Sequence, residues 1–456
     1  MTNIFYIGIG GIGMSALALY HKKIGMNVSG YDRSRSEITD RLEREGIAVY
    51  FDADPSILPE KTENTIIIFS KAIPHGHPLL RAAREKGYAV LSRSSALGEL
   101  VLEGNCIAVA GTHGKSTVTA LIAHILTISG EGCTAFIGAE SRNYDSNLLL
   151  GSFDNMVVEA DEYGRSFLDL YPDMAVITGV DADHLDVYGD LEGVIQAFKT
   201  FARQVSGTLI VKEGSPIKID DTRAWLLTYS LSSKTADFYA KGIRSYRNGY
   251  YSFDFVYPAG EIQDIRLEVP GLMNVENCVA AAAMAMVFGI SPEEIRSALQ
   301  SYKGLKRRLD VLLDSPEVAY VDDYAHHPTE IASSLSSVRG MYPGRKITVV
   351  FQPHLYSRTR DHASEFAKAL SLADELIILD IYPAREDPIP GVDSMMILKD
   401  VLCPKKMFVR RDGLLDILPG KDIDVLVTMG AGDISGLVGP LTELLRDRNT
   451  LKIFRR

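Results

Sequence analysis

The stretch Cys106-Ile107-Ala108-Val109-Ala110-Gly111-Thr112-His113-Gly114-Lys115-Ser116-Thr117 decides how this 456-residue chain is read. Five apolar residues make a buried strand, two glycines make a turn, and an apolar helical pattern runs from Thr117 to Ser129. A strand feeding a helix through a glycine turn gathers backbone N–H groups and the positive end of the helix dipole around one point, which suits a phosphate. Gly111, Thr112, His113 and Gly114 supply the loop and Thr117 continues the helix. Lys115 is placed to neutralise β- and γ-phosphate charge, and the Ser116 hydroxyl to ligate Mg²⁺. The spacing is shorter than the usual GxxxxGK[ST], because only Gly111 stands upstream of Gly114.

A second glycine-rich loop opens the chain. The strand Ile4–Ile7 runs into Gly8-Ile9-Gly10-Gly11-Ile12-Gly13-Met14-Ser15 and then a helix, Ala16 to Ile24. Gly8, Gly10 and Gly13 fit G-x-G-x-x-G, which permits a tight turn, close approach to a pyrophosphate and close helix–strand packing. Asp32 ends the next strand, Val28–Tyr31, where a ribose or base could be read. Alone, this loop fits an NAD enzyme or a plain βαβ turn. Two phosphate loops in one chain imply two nucleotides, or one nucleotide-linked substrate together with ATP.

Bulk properties narrow the class. The length exceeds what one core supports and favours three domains. A hydrophobic content of 46% and a charged content of 23% are ordinary for a soluble globular protein. The net charge of −11 argues against nucleic acid as a partner. No stretch is long and apolar enough to insert in a membrane, and the N-terminus has no basic leader of a signal peptide. The four cysteines, Cys106, Cys133, Cys278 and Cys403, have no CxxC spacing, so reduced thiols in a cytoplasmic protein are expected.

Residues 1–97 alternate helical stretches with the strands Ile4–Ile7, Val28–Tyr31, Ala48–Phe51, Thr65–Phe69 and Ala89–Leu91, as in a small doubly wound α/β domain. Residues 98–301 carry the Gly111–Thr117 phosphate loop. Within them, Gly207–Val211, Tyr251–Val256 and Ile265–Val269 are expected to form an antiparallel patch, followed by an Ala-rich helix, Val275–Phe288. Ser291 and Glu294 fit a capping box on the next helix, and Tyr302-Lys303-Gly304-Leu305 reads as a hinge. Residues 302–456 alternate strands (Ala319–Val321, Ile347–Phe351, Glu375–Leu379, Met407–Val409, Val425–Met429) with helices, giving a third α/β unit.

Chemistry-bearing residues fall at strand ends. Asn155–Val158 is a buried strand that ends in Glu159-Ala160-Asp161-Glu162, and Glu159 is the best placed to ligate Mg²⁺. After the strand Ala175–Thr178, His184 lies in Asp181-Ala182-Asp183-His184-Leu185-Asp186 and is a candidate metal ligand beside Ser116 and Glu159. Asn274 and Asn277 open the Ala-rich helix and could cap it or read an adenine edge. Lys306-Arg307-Arg308 follows the hinge, either as a solvated run or as cations reaching phosphates. Asp322-Asp323-Tyr324-Ala325-His326-His327-Pro328, Phe351-Gln352-Pro353-His354 with Arg358 beyond it, and Gly430-Ala431-Gly432-Asp433-Ile434 follow three strands of the last unit, as one wall of a cleft would.

Taken together, these motifs resemble the Mur ligases over essentially the whole length. The resemblance implies an α/β protein of three domains: an N-terminal Rossmann-like domain that binds UDP, a central P-loop ATPase-like domain, and a C-terminal Rossmann-like domain that brings the amino acid. It implies a cytoplasmic, ATP-dependent amide ligase of peptidoglycan synthesis, a monomer or weak homodimer, with ATP and two Mg²⁺ ions. Within the family, the N-terminal loop Gly8–Ser15 points to the member that joins L-alanine to the lactyl carboxylate of UDP-N-acetylmuramate through an acyl phosphate. Gly8, Gly10, Gly11, Ile12, Gly13, Asp32 and Ser70 would face the UDP-sugar. Lys115, His184, His326 and Arg358 would be catalytic, the last two near the amino acid. Ser116 and Glu159 would hold the Mg²⁺ on ATP and His184 the second ion. Asn274 and Asn277 would face adenine, and Arg308 and Asp323 would contact the nucleotide.

Four positions depart from the family pattern: Met273 for His, Leu355 for an Arg that would bind the alanine carboxylate, Gly179 for Asn, and Lys71 for a small Ser. Lys199, fifteen residues after His184, is read as a surface lysine; a carbamylated lysine, as in ligases for later steps, is the alternative. Competing readings are a ligase for another amino acid or a recycled peptide, an NAD-dependent oxidoreductase, and a non-catalytic UDP-sugar sensor. The oxidoreductase leaves Lys115, Glu159 and His184 without a task.

Overall fold

The computed structural model describes residues 2–453, apart from residues 103, 183, 184 and 385, and the side chains of 185, 186, 219 and 448–453 are not described. Three sheets organise it. The first is five-stranded and parallel, in the order Ala48–Tyr50, Asn27–Tyr31, Asn3–Ile7, Thr65–Phe69, Ala89–Ser92. The strand order reverses at Asn3–Ile7, so the glycine loop that follows it opens at the switch point of the sheet, where α/β folds bind ligands.

The second sheet has ten strands. Asn105–Ala110 lies at its centre, with Met174–Ile177 on one side and Asn155–Glu159 on the other, all parallel. Thr134–Ser141 and Ser146–Leu149 complete one edge. Toward the other edge come Thr208–Lys212, Trp225–Ser230, Phe238–Arg247, Tyr250–Tyr257 and Gly260–Arg266.

The expected antiparallel patch is only partly correct. Thr208–Lys212 pairs parallel with both neighbours, because helix Leu191–Gln204 carries the chain back over the sheet before it. The last three strands are neighbours joined by two-residue turns, Asn248-Gly249 and Pro258-Ala259, which only an antiparallel pair allows. The strand expected at Ile265–Val269 ends at Arg266.

The third sheet is parallel over Ala319–Asp323, Val425–Met429, Ile347–Phe351, Glu375–Ile378 and Lys405–Phe408. An edge strand, Asp310–Asp314, pairs antiparallel with Ala319–Asp323. Both phosphate-loop helices start earlier than the apolar pattern suggests, at Ile12 and at Lys115, because Gly11 and Gly114 serve as their N-caps. Ser291 and Glu294 form the expected capping box.

The chain divides into two compact units. One comprises Met1–Gly242, Phe253–Arg266 and Val275–Lys303; the other Ile243–Ser252, Leu267–Asn274 and Gly304–Arg456. The first two sheets fall in one unit because they share a hydrophobic core. Met14, Leu17 and Tyr20 of the first loop's helix pack in the same cluster as Phe136, Leu148 and Val158, and the Tyr20 and Phe136 ring centroids are 5.5 Å apart. Fully burying an apolar side chain of this size contributes about 1.5–3 kcal/mol. Polar ties frame the contact. Asn147 Nδ2 donates to Ile12 O at 2.6 Å, and Arg41 bonds Glu140 at 3.0 Å and Ser146 at 2.9 Å. Lys71, where the family pattern has a small Ser, bonds Gly164 O at 3.3 Å and Asp169 at 3.5 Å. Its departure therefore has a structural task.

Two buried histidines of this unit are held neutral. His21 Nδ1 meets the Tyr6 hydroxyl at 2.5 Å. The two ring nitrogens of His124 meet Tyr144 Oη at 2.7 Å and Ser301 Oγ at 2.9 Å. Burial lowers each to about 4, below the ordinary value of about 6.5 that the unfolded chain retains. Their contribution is therefore present above pH 6.5 and is lost as pH falls toward 4. Each histidine should cost up to about 1.4 kcal/mol of stability per pH unit across that window. In urea unfolding followed from pH 7 to pH 4.5, His124→Gln should show a shallower decline than the parent chain; an unchanged slope would contradict the assignment.

Candidate active site

The phosphate loop is built by two neighbouring strand ends. Thr112 N donates to Gly179 O at 3.0 Å, and Asp181 N donates to Thr112 Oγ1 at 2.9 Å. Thr178 Oγ1 donates to Ala110 O at 3.3 Å and to His113 O. These bonds hold the loop against the strand Met174–Ile177. They leave room for no side chain at Gly111, whose φ is +132° and whose added Cβ would fall on Thr178. Gly114 has φ +82°, and a Cβ there would lie 2.6 Å from Asn277 Oδ1. Asn277 is therefore brought against the loop, on the helix Leu272–Phe288. Asn274, one turn earlier on that helix, donates its amide to Pro270 O at 2.7 Å, a bond that ties down the helix start.

Ser116 and Thr117 are buried in the first turn of the loop helix. Glu159 stands at the end of the adjacent strand, beside Val109. Its carboxylate accepts the Gly138 N–H at 2.8 Å, and a Cβ on Gly138 would collide with both carboxylate oxygens. Gly138 therefore orients Glu159, and no sequence motif announces it. His184 lies outside the described residues. Lys199 sits on the helix Leu191–Gln204, 3.4 Å from Asp221.

Lys115 Nζ donates to Gly111 O at 2.6 Å and Glu162 Oε1 at 2.9 Å, and lies 2.8 Å from Glu162 Oε2. Burial acts to lower the Lys115 pKa, but the neighbouring Glu162, Glu159 and Asp161 outweigh it and hold it above its ordinary value. Burial pushes Glu162 up to about 7, against the pull of Lys115. Glu162 is the second residue that sequence reasoning misses. Its position in Glu159-Ala160-Asp161-Glu162 is visible in the chain, but its partner is not.

The first loop gathers its expected residues. Gly8 has φ +88° and lies against Ser70, where a Cβ on the glycine would stand 3.4 Å from Ser70 Cβ. Gly10 N donates to Asp32 Oδ2 at 2.7 Å, so Asp32 braces the loop as well as flanking it. Gly11 caps the helix that Ile12 begins. A Cβ at Gly13 would lie 2.9 Å from Arg93 Nη1, and Arg93 reaches Asp161 at 3.4 Å. Arg93 thus stands between the first loop and the acidic strand end, and the sequence offers no signal for it beyond a lone cation before a helix.

In the second unit, Asp323, His326 and Arg358 sit at or beyond the C-terminal ends of Ala319–Asp323 and Ile347–Phe351, the two strands that flank Val425–Met429. Asp323 is buried, accepts the Ser334 hydroxyl at 2.7 Å, and is raised by burial to about 6. His326 Nδ1 lies 3.0 Å from Tyr324 O and 3.4 Å from Glu330. Burial lowers it to about 4; Glu330 opposes that shift and Arg358 adds to it. Arg308 lies over the Tyr324 ring at 4.9 Å. Arg307 bonds buried Asp322 at 3.0 Å and Gly430 O at 2.6 Å, so it is a structural cation and not part of a solvated run. Leu355 is buried at φ +70°, a backbone that costs about 1–3 kcal/mol in a non-glycine residue.

Comparison with known proteins bears on the family and the fold. Three family models match in succession: the Mur ligase family catalytic domain over residues 3–104, the Mur ligase middle domain over 109–285, and the Mur ligase glutamate ligase domain over 307–432. A UDP-N-acetylmuramate–L-alanine ligase from Porphyromonas gingivalis is 45% identical over 454 residues, covering 98% of this chain and 99% of the relative. The crystal structure of a UDP-N-acetylmuramate–alanine ligase from Thermotoga maritima superposes with a TM-score of 0.84 at 26% identity, covering 98% of this chain and all of that one. A murein peptide ligase from Psychrobacter arcticus, at 23% identity and a TM-score of 0.74 over 97% of this chain and 98% of that one, shares the fold. With both phosphate loops, the strand-end acids and three consecutive domain models in place, the chain belongs to the Mur ligase family.

Proposed function

We propose that this chain is an ATP-dependent acid–amino-acid ligase that joins L-alanine to the lactyl carboxylate of UDP-N-acetylmuramate, releasing ADP and phosphate, in peptidoglycan precursor synthesis. The observation that carries this reading is 45% identity across 98% of the chain to a ligase of that name, with the residues of both phosphate loops present. Residues 1–97 hold the UDP-sugar, 98–301 the ATP and 302–456 the amino acid. The protein works in the cytoplasm as a monomer or weak homodimer.

The chemistry accounts for the residues. A carboxylate and a triphosphate repel, so cationic groups must stand between them. The lactyl carboxylate attacks the γ-phosphorus of ATP, giving an acyl phosphate and ADP. The alanine amine attacks the acyl carbon, and the tetrahedral adduct expels phosphate. Lys115 neutralises the transferring phosphate. Asn277 and Asn274 face adenine, and Arg308 and Asp323 contact the nucleotide. His326 is held uncharged by burial, with Nδ1–H directed to Tyr324 O, and stands beside the incoming amino acid without adding a positive charge that would repel its ammonium. Arg358 holds the alanine carboxylate.

The donor set fits Mg²⁺: the Ser116 hydroxyl and the Glu159 carboxylate are hard oxygen ligands on neighbouring elements. Magnesium would supply charge neutralisation on the phosphates, with a second ion at His184. Leu355 favours a second reading, a Mur-type ligase for another amino acid or a recycled peptide, because the family's carboxylate-binding Arg is missing there.

ADP release should require UDP-N-acetylmuramate, Mg²⁺ and L-alanine together; turnover with glycine, L-serine or a tripeptide but not L-alanine would select the second reading, and no turnover with any amine would overturn both. Lys115→Met should lower kcat by roughly 10²–10³-fold, as loss of a transition-state charge partner does. Gly138→Ala should displace Glu159 and raise the Mg²⁺ concentration for half-maximal rate roughly 10-fold or more; an unchanged Mg²⁺ dependence in folded protein would remove Glu159 from the metal site.

A further inference from the structure

The lysine of the phosphate loop is already engaged. Its ammonium touches both oxygens of Glu162, at 2.9 and 2.8 Å, together with Gly111 O at 2.6 Å and Thr112 O at 3.4 Å. Both side chains are largely withdrawn from water, 14% exposed for Lys115 and 4% for Glu162. Glu162 is itself fixed. Its carbonyl accepts the Tyr188 hydroxyl at 2.5 Å and the Arg165 N–H at 2.9 Å. The chain then turns through two consecutive left-handed residues, Gly164 at φ +59° and Arg165 at φ +56°. Asp161 is occupied separately, accepting the Tyr163 N–H at 3.0 Å. A carboxylate held this firmly against the phosphate-loop cation is an internal stand-in for a phosphate oxygen.

We propose that Glu162 is a positioning residue that competes with the triphosphate for the Lys115 ammonium, so that nucleotide binding exchanges one anionic partner for another. The inference rests on the reading of this loop as the ATP site. Its physical content is a linkage. Whatever stabilises the nucleotide-free state weakens ligand binding by the same factor. Glu162 gives the loop a partner for a buried cation, which would otherwise be costly, and in doing so reduces the apparent affinity for ATP.

The test is ATP binding to the full-length chain without UDP-N-acetylmuramate, followed by equilibrium titration and by the shift in thermal midpoint. Glu162→Gln removes the charge at constant size. It should lower the midpoint of the nucleotide-free protein, tighten ATP at least about 3-fold, and enlarge the midpoint rise on adding ATP. Glu162→Asp retracts the carboxylate by one methylene and should move all three readings the same way by less, which keeps the test available if the glutamine variant folds poorly. A purely structural role would lower the midpoint while leaving ATP affinity unchanged or weaker, and that result overturns the proposal while leaving the ligase reading intact. Failure of the parent chain to bind ATP would overturn both.

Discussion

The close approach at Gly111 is the constraint from which the catalytic half of this protein follows. Strand Asn105–Ala110 runs through the middle of the ten-stranded sheet, and its exit must pass against Thr178 on the neighbouring strand end. Only a residue without a side chain fits, at a φ that other residues rarely adopt. The Thr178 hydroxyl then ties Ala110 O to His113 O, which sets the loop's path. The path sets the first turn of the helix, and the helix carries Lys115 and Ser116 to the point faced by Glu159. Each later placement inherits the geometry of that one turn.

In each unit, electrostatics is governed by what is withdrawn from water. Glu162, Asp323 and His326 are all shifted toward their uncharged forms by burial. Lys115 is held above its ordinary value because Glu162, Glu159 and Asp161 outweigh its burial. Fixed charges of this kind do not reorganise when a charged ligand arrives, which mobile ones would.

Much of this is legible in the sequence, and the reasons are local. Both phosphate loops announce themselves because turn chemistry, a buried strand and a helix start are contiguous. Glu159 is legible because an apolar strand ending in an acid is a local pattern. Gly138, Thr178, Arg93 and the partner of Glu162 are not, because each acts through a residue far away in the chain. The parallel pairing of Thr208–Lys212 escapes the sequence for the same reason: strand direction is set by the crossover before it, and periodicity within the strand is silent about it. The apolar pattern places the two loop helices too late because glycine caps extend a helix beyond it.

The shared core beneath the first two sheets has a consequence for how such a protein diversifies. Tyr20, Phe136 and Leu148 belong to one packing cluster, so the first two sheets rest on a single core and neither can be exchanged alone. A gene fusion that replaced one without the other would expose a wet, mismatched seam. The second unit closes around hydrophobic clusters of its own and carries the residues assigned to the amine. That unit can therefore be remodelled without disturbing the core that the first two sheets share.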